Sequence, residues 1–207
     1  MKILVGTTNP AKLNYYSNIL KDYDVECVSL SDIGVSDEPE ESGHTPTENS
    51  EIKAKFYGKY YDMVICNDAG LYIDDLPFDD KRQPGLKIRS PQGKRLNDDE
   101  MIEYYSALAH SLGGKILCYY LDGISINNKG KIYNFTAKDA KSRGFYMIDK
   151  PSKERRPGWP LDSISLNKDN LTYFINQTNP IKTSREKFDS DVRQFIVNSL
   201  NLIKRGE

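Results

Sequence analysis

The chain has 207 residues, 38% of them hydrophobic, which is enough for one large domain or two closely packed lobes with a substantial core. Its 29 Lys and Arg residues balance 30 Asp and Glu residues, so the formal net charge is -1. This balance excludes a global basic field that would draw the protein to nucleic acid or to an anionic membrane, and it requires any anion site to be local.

The N-terminal segment predicts two strands with a helix between them. Residues 2–8 form an apolar run that predicts a buried strand, and residues 25–30 predict a second strand. Asn9 is a suitable N-cap for the intervening helix, with Pro10 at its first position. Because free backbone N–H groups and the helix dipole at such a start favour an anion, Lys12 is a candidate phosphate ligand. A solvated lysine in the first helical turn is the alternative.

An acidic loop and a second helix follow. Glu41 lies in the loop at 37–43, where its carboxylate could face a metal ion or simply belong to a solvated charge run. A Thr-Pro-Thr-Glu capping box starts a helix predicted to cover 45–60. Asn49 and Lys53 are four residues apart in that helix and therefore project from one face. Lys53 could bind an anion from there, or extend its ammonium group to water from a half-buried position.

An aspartate follows the third predicted strand. This residue, Asp68, follows the apolar run 63–66 with only Asn67 between them, which is where open α/β sheets place their ligands. The local sequence Asn-Asp-Ala-Gly is equally suited to a turn, and a short extended piece is predicted after it at 71–73. The polar, proline-containing stretch 74–96 has the character of a lid or a surface loop.

The second half of the chain predicts antiparallel strands between two helices. The predicted elements are a helix opened by Asn97 and closed by Gly113-Gly114, a hairpin of strands at 115–126 and 131–137, a strand near 144–148, a basic loop at 150–160, and a terminal helix at 182–203. Helices that alternate with strands, followed by a hairpin-rich half, predict an α/β protein with a mixed sheet. No linker separates the halves, so a single domain over 1–207 is expected.

The remaining features bear on compartment and partners. Cys27, Cys66 and Cys118 lie in apolar segments without zinc-site spacing, and their odd number argues against a disulfide framework. Buried thiols of a cytoplasmic protein are the simplest interpretation. The apolar run at 1–6 is too short for a signal peptide, and no later run is long enough for a bilayer, so no membrane partner is expected. The basic run 150–156 is too short to predict a nucleic-acid partner.

Two lysines and two carboxylates stand out when these segments are considered together: Lys12, Glu41, Lys53 and Asp68. A triphosphate bound through Mg²⁺ needs this mixture, because carboxylates hold the metal and ammonium groups neutralise the phosphate oxygens that the metal leaves free. The sequence therefore predicts a local site for Mg²⁺ and a triphosphate.

In order along nearly the whole chain, short segments resemble the motifs of the inosine triphosphate pyrophosphatase family. The matching segments are Thr8–Lys12, Glu40–Ala54, Asn67–Leu71, Pro84–Arg89, Gly158–Asp162 and Thr183–Arg185. The resemblance implies a long mixed central β-sheet flanked by helices, two lobes with the active cleft between them, and a homodimer. It also implies Mg²⁺-dependent hydrolysis of an inosine- or xanthosine-type nucleoside triphosphate, ribo or deoxy, between the α and β phosphates, which yields the monophosphate and pyrophosphate.

The resemblance also implies a role for each candidate residue. The catalytic group would be Asp68, Lys53, Lys12 and Glu41, with Mg²⁺ held by Glu41 and Asp68. The substrate-binding set would be Thr8, Asn9, Lys12, Lys53, Arg89, Trp159, Asp162 and Arg185. Within that set, Trp159 would stack on the base, Asp162 would read or brace its edge, and Arg185 would donate to a keto oxygen. A core or lid anchor is the alternative role of Trp159.

Three positions depart from the family pattern. Asn67 replaces the first aspartate of an Asp-Asp pair and cannot act as a base, which bears on the rate. Ser184 replaces a histidine beside the base, and Asn179 replaces a lysine a few residues earlier, which bears on base preference. Two alternatives therefore stay open. One is a pyrophosphatase with a different base preference, and the other is a non-catalytic nucleotide-binding module.

Overall fold

Four α-helices and seven β-strands follow one another in residues 1–91, 93–137, 139–177 and 184–206, the part of the chain that the computed structural model describes. In chain order they are β1 (Lys2–Val5), α1 (Pro10–Ile19), β2 (Glu26–Val28), α2 (Pro46–Tyr57), β3 (Met63–Ile73), α3 (Asp98–Ser111), β4 (Lys115–Asn128), β5 (Lys131–Thr136), β6 (Phe145–Ile148), β7 (Ser165–Asn167) and α4 (Ser184–Leu200). The predicted α/β class is confirmed.

The strands form a mixed sheet in the order β2-β1-β3-β4-β6-β7, with β5 paired to β4. β1 is parallel to β2 and to β3, whereas β4 is antiparallel to β5 and β6, and β6 is antiparallel to β7. A short turn is enough to join antiparallel β4 and β5, but parallel β1 and β2 need the crossover helix α1 between them. The mixed central sheet that the resemblance implied is therefore confirmed.

The chain divides into two compact units, and the first contains the described parts of 1–69, 122–137 and 185–207. Both faces of its strand β1 are buried. On β1, Ile3 packs in a core with residues of α1 and α4, whereas Leu4 packs in a core with residues of α2. Because successive strand side chains point to opposite faces, this double cover explains why β1 is apolar from Ile3 to Val5.

The second unit contains the described parts of 70–121 and 138–184. Its core joins the apolar face of α3 to the end of β3, the start of β4 and strand β6. The largest buried members are Leu71, Ile73, Tyr105, Phe145, Met147 and Ile164. Strands β3 and β4 each contribute residues to both units.

Three of the four predicted helix starts are confirmed by side-chain caps. The Asn9 side chain accepts from the Ala11 N–H at 2.9 Å, and the Thr45 hydroxyl accepts from the Glu48 N–H at 3.1 Å. Asn97 and Glu100 form a reciprocal capping box at the start of α3. These caps satisfy backbone donors that a helix leaves unpaired at its first turn.

Strand β3 differs from its prediction. A strand at 63–66, a turn around Asp68 and a separate extended piece at 71–73 were expected, but β3 continues without a break to Ile73. Asp and Gly favour turns only when local preferences decide. Here the Asp68 carboxylate is buried and hydrogen-bonded to another element, and Leu71 pairs with Gly85, so tertiary contacts keep the backbone extended. Asp68 therefore lies inside a strand.

Smaller differences concern the ends of elements. β1 and α2 stop earlier than predicted, and β7 was not predicted because three residues give no clear periodicity. The described residues of 74–96 contain turns and no helix or strand, as predicted. Cys66 and Cys118 are buried free thiols and Cys27 is partly buried. Among the described helices, none combines the length and the apolar character of a membrane span.

Helix α2 approaches strand β4 with no space for a side chain between them. A Cβ atom on Gly123 would lie 2.3 Å from the Thr47 nitrogen and 2.4 Å from the Pro46 carbonyl carbon. The Thr47 and Thr136 hydroxyls are 2.8 Å apart beside this contact, and Thr136 is the cross-strand partner of Gly123. Glycine at 123 therefore allows the first turn of α2 to rest directly on the sheet.

We predict that Gly123→Ala destabilises the protein by about 1–3 kcal/mol, because the added methyl group must push the backbone of α2 away from β4. Urea denaturation measures the change. Lys131→Ala, at an exposed position of the same hairpin, is the control and is expected to change stability by no more than about 0.5 kcal/mol. Equal midpoints for Gly123→Ala and the parent would show that the close approach is not required.

Candidate functional site

The four charged residues singled out by the sequence converge within the first unit. Lys53 Nζ lies 2.7 Å from Glu41 Oε1 and 3.6 Å from Asp68 Oδ1, so both carboxylates face one ammonium group. Lys12 is close enough that the charges of Lys53, Asp68 and Glu41 all act on its pKa. A mixed cluster of two cations and two anions is therefore present.

Each member comes from a different element. Lys12 projects from the first turn of α1, Lys53 from α2, and Asp68 from within β3. Glu41 lies in the segment before α2. β1 leads into α1 and is the parallel neighbour of β3, so the sheet brings residues that are distant in sequence to one place.

Asn49 holds Asp68 in position, a role that the sequence did not reveal. The side chain of Asn49 is 2% exposed. Its Nδ2 group donates to Asp68 Oδ2 at 3.0 Å, and its Oδ1 atom accepts from the Gly43 N–H at 2.8 Å. An amide side chain can donate from its nitrogen and accept at its oxygen at the same time. Asn49 thus connects the acidic segment, helix α2 and strand β3. In the sequence, only its i,i+4 spacing from Lys53 indicated that it lies on the same helix face as the site.

Burial is the largest single influence on the pKa values of Asp68, Lys12 and Lys53. It raises the pKa of Asp68, although Lys53 and the hydrogen bond from Asn49 oppose the rise. Burial and the charge of Lys53 lower the pKa of Lys12. Burial also lowers the pKa of Lys53, but the attraction of Asp68 and Glu41 outweighs it, and the net pKa is raised. The Asp68 carboxylate and the Lys12 ammonium are thus incompletely compensated, which favours an incoming cation and an incoming anion respectively.

Two further acidic residues lie near predicted substrate-binding positions. Glu38 Oε1 accepts from the Thr8 hydroxyl at 3.4 Å, which places a carboxylate beside the start of α1. The charge of Asp122, on β4, opposes the lowering of the Lys12 pKa that burial causes. Glu38 was not distinguished from the other carboxylates of the acidic loop 37–43, and Asp122 stands alone in the sequence without a local pattern. Asn9 uses its side-chain oxygen to cap α1.

Three of the predicted substrate-binding residues belong to the second unit, and each is engaged within it. Arg89 Nη1 donates to Asp98 Oδ1 at 2.8 Å, and Asp162 Oδ2 pairs with Arg156 Nη1 at 2.5 Å. Trp159 is partly buried and precedes a short 3-10 turn at Pro160–Ser163. Their roles toward a ligand stay predictions.

The remaining positions named from the sequence are not fully described. Arg185 and Ser184 lie at the start of α4, but their side chains are outside the described part of the structure. Asn179 lies outside the described residues altogether. The predicted contact of Arg185 with a base therefore stays a prediction.

The carboxylates of Glu41 and Asp68 fit a metal ion that binds together with a phosphate ligand. Within the described residues no group of three His, Cys, Asp or Glu side chains could hold a metal ion by itself. Glu41 and Asp68 nevertheless offer two carboxylates that face one point, marked by Lys53 Nζ. Mg²⁺ in proteins is commonly held by one or two carboxylates together with water and substrate phosphates. These residues therefore fit a Mg²⁺-polyphosphate complex better than a metal bound by protein alone.

The fold is shared with solved structures of other proteins. The structure is similar to the Ham1 protein of Staphylococcus aureus, with a TM-score of 0.68 at 20% identity over 96% of this chain and 100% of that one. It is also similar to a HAM1 protein from Coxiella burnetii, with a TM-score of 0.69 at 18% identity over 96% of this chain and 99% of that one. At these identities the likeness establishes the fold.

Sequence similarity to curated relatives covers just under half of the chain. A dITP/XTP pyrophosphatase of Thermoanaerobacter pseudethanolicus is 40% identical over 87 residues, which are 42% of each chain. The Bacillus subtilis dITP/XTP pyrophosphatase is 36% identical over 101 residues, 48% of this chain and 49% of that one. The matched part thus spans about half the length of these relatives. The Ham1 family model matches residues 3–118. Since this is more than half of the chain, the resemblance to the inosine triphosphate pyrophosphatases is confirmed, and the protein belongs to the Ham1 family.

Proposed function

We propose that this protein hydrolyses a nucleoside triphosphate between its α and β phosphates and releases a nucleoside monophosphate and pyrophosphate. The observation that carries the proposal is the convergence of Glu41 and Asp68 on Lys53, with Lys12 beside them. Membership of the Ham1 family and relatives named dITP/XTP pyrophosphatase support the same reaction.

Glu41 and Asp68 would hold Mg²⁺ against the phosphates. When bound, Mg²⁺ would neutralise phosphate charge and favour deprotonation of the attacking water. Asn49 keeps Asp68 in place through its amide, so this carboxylate needs little rearrangement. Asn67 can orient a water molecule but cannot accept its proton.

Lys53 and Lys12 would neutralise the triphosphate. Lys53 is held between two carboxylates before any ligand arrives, so it is already positioned to meet the developing charge. Burial lowers the pKa of Lys12, which supports a role in which a phosphate oxygen would complete the charge compensation of its ammonium group. Thr8 and Asn9, at the start of α1, would contribute further phosphate contacts from a position where the helix dipole favours an anion.

For the base we propose an inosine- or xanthosine-type purine. Trp159 would stack on it, Asp162 would read or brace its edge, Arg185 would donate to a keto oxygen, and Arg89 would assist Lys12 and Lys53 at the phosphates. Ser184 and Asn179 favour a shifted base preference as the second candidate. Asn67 favours the third, a module that binds a nucleotide without hydrolysing it.

The proposal extends to the protein as a whole. We take residues 1–207 to act together as one functional domain, with Mg²⁺ as the cofactor and a homodimer as the working form, as the family resemblance implies. The three free thiols support a reducing, cytoplasmic location.

A panel of nucleoside triphosphates tests the reaction and the base together. We expect Mg²⁺-dependent release of pyrophosphate, fastest with inosine and xanthosine triphosphates or their deoxy forms, and loss of release on addition of EDTA. Release of orthophosphate in place of pyrophosphate would contradict the proposed bond. Tight binding with no hydrolysis of any nucleotide would replace the enzyme with the binding module.

We predict that Asp68→Asn lowers turnover by about 10²-fold or more, because a carboxylate that holds the metal is lost. Its stability at neutral pH should not fall. A carboxyl group whose pKa is raised in the folded state stabilises the fold at low pH, and this contribution is lost as the pH rises through the folded pKa. A neutral amide avoids that loss. Steady-state kinetics and thermal unfolding measure the two effects.

Asp62→Asn, an exposed aspartate of the same unit, is the control for the Asp68 variant and should keep parental turnover. Parental turnover of folded Asp68→Asn would remove Asp68 from the metal site.

We predict that Lys53→Ala lowers kcat/KM by about 10²-fold, since the ammonium group that faces both carboxylates and the phosphates is removed. Lys55→Ala is a matched control on the same helix, because Lys55 is exposed and pairs with Glu51. Equal kcat/KM values for Lys53→Ala and Lys55→Ala would show that Lys53 has only a structural role.

A further inference from the structure

Asp98, the first residue of α3, uses both of its carboxylate oxygens to hold two different loops. Asp98 Oδ1 accepts from Arg89 Nη1 at 2.8 Å, and Asp98 Oδ2 accepts from the Gly158 N–H at 3.3 Å. Arg89 Nη1 also donates to the Leu96 carbonyl at 3.3 Å, so the guanidinium has a second fixed partner. A single carboxylate thus links the segment 84–96 to the segment that precedes Trp159.

Helix α3, which carries Asp98, is held in place by its buried face. Met101, Ile102 and Tyr105 of α3 are buried in the core of the second unit. The Tyr105 hydroxyl donates to the Ile88 carbonyl at 2.8 Å, directly before Arg89 in the chain. The Arg89 segment is therefore attached to α3 at two points, through a backbone carbonyl and through a side-chain ion pair.

The contact with Gly158 sets the turn that presents Trp159. Gly158 has φ of +81°, a left-handed conformation that other residues rarely adopt. The Trp159 N–H donates to the Arg156 carbonyl at 3.0 Å, and the following residues Pro160 and Leu161 are buried. Fixing the Gly158 amide against Asp98 consequently limits the directions that the Trp159 ring can take.

We propose that Asp98 is a positioning residue that fixes Arg89 and Trp159 relative to each other, and so couples phosphate binding to base recognition. The inference rests on the proposed function, in which Arg89 assists at the phosphates and Trp159 stacks on the base. Asp98 acts through these two residues and touches no reacting atom. Its loss weakens substrate binding more than it slows the chemical step.

Asp98 could act only by stabilising the start of α3 with its negative charge, and a control variant separates this role from the positioning of Arg89 and Trp159. A negative charge in the first turn of a helix is stabilising wherever it lies in that turn. Asp99 is the next residue and supplies the same charge, but its carboxylate is 85% exposed and contacts only Arg155, at 3.3 Å, among the ion pairs described. Asp99→Asn therefore removes the same dipole interaction without touching Arg89 or Gly158.

Trp159 is the single tryptophan of the chain, so its fluorescence reports on this turn without a nucleotide. We expect Asp98→Ala to shift the emission and to increase acrylamide quenching, while Asp99→Asn keeps the parental spectrum. In steady-state kinetics Asp98→Ala should raise KM for the best nucleotide by roughly ten- to a hundredfold, with a smaller change in kcat.

Asp98→Asn is the second variant, and it keeps an acceptor for the Gly158 amide while losing the ion pair with Arg89. It should retain most of the parental fluorescence and still show a raised KM, which keeps the test valid if Asp98→Ala fails to fold. Parental quenching in Asp98→Ala, or equal KM values for the Asp98 and Asp99 variants, overturns the inference. If no nucleotide is hydrolysed by the parent, the proposed function fails, and the fluorescence comparison still decides whether Asp98 holds the Trp159 turn.

Discussion

The ammonium group of Lys53 holds the carboxylates of Glu41 and Asp68 at a single point, and the proposed chemistry depends on this contact. Without the cation, two like charges facing one another would repel, and the buried Asp68 carboxylate would be driven further toward its protonated form. With it, the site keeps two anions together in the absence of a metal. Lys12 adds a second cation that lacks full compensation. The cluster is thus arranged for a ligand that carries both charges, as a metal-polyphosphate complex does.

Helix α2 is the element on which this arrangement is built. It carries Lys53 and Asn49 on one face, so the cation and the amide that orients Asp68 move together. Its first turn rests on β4 at Gly123, and its cap at Thr45 sets where the helix begins. A small displacement of α2 would therefore disturb the ion pairs and the hydrogen bond at the same time.

In the second unit, helix α3 positions the candidate ligand-binding residues, as α2 does in the first. Its buried face anchors it in the core, and its acidic first turn holds Arg89 and the Gly158 amide through Asp98. In each unit, a helix with a buried face (α2 in the first, α3 in the second) holds polar residues that come from irregular segments. Residues on loops gain a defined direction only when a rigid element supplies their partners.

The sequence alone determined the fold class, the helix starts at Asn9, Thr45 and Asn97, and the four charged residues of the candidate site. These features depend on apolar periodicity, on capping within a few residues, and on motifs whose order along the chain is specific. Three features became visible in the folded protein alone: β3 continues through Asp68, Asn49 binds this carboxylate, and Asp98 joins two loops. The reason is physical. Local preferences come from neighbours in the chain, whereas the partner of a buried polar group is set by which distant segments the packed sheet and helices bring within hydrogen-bonding distance.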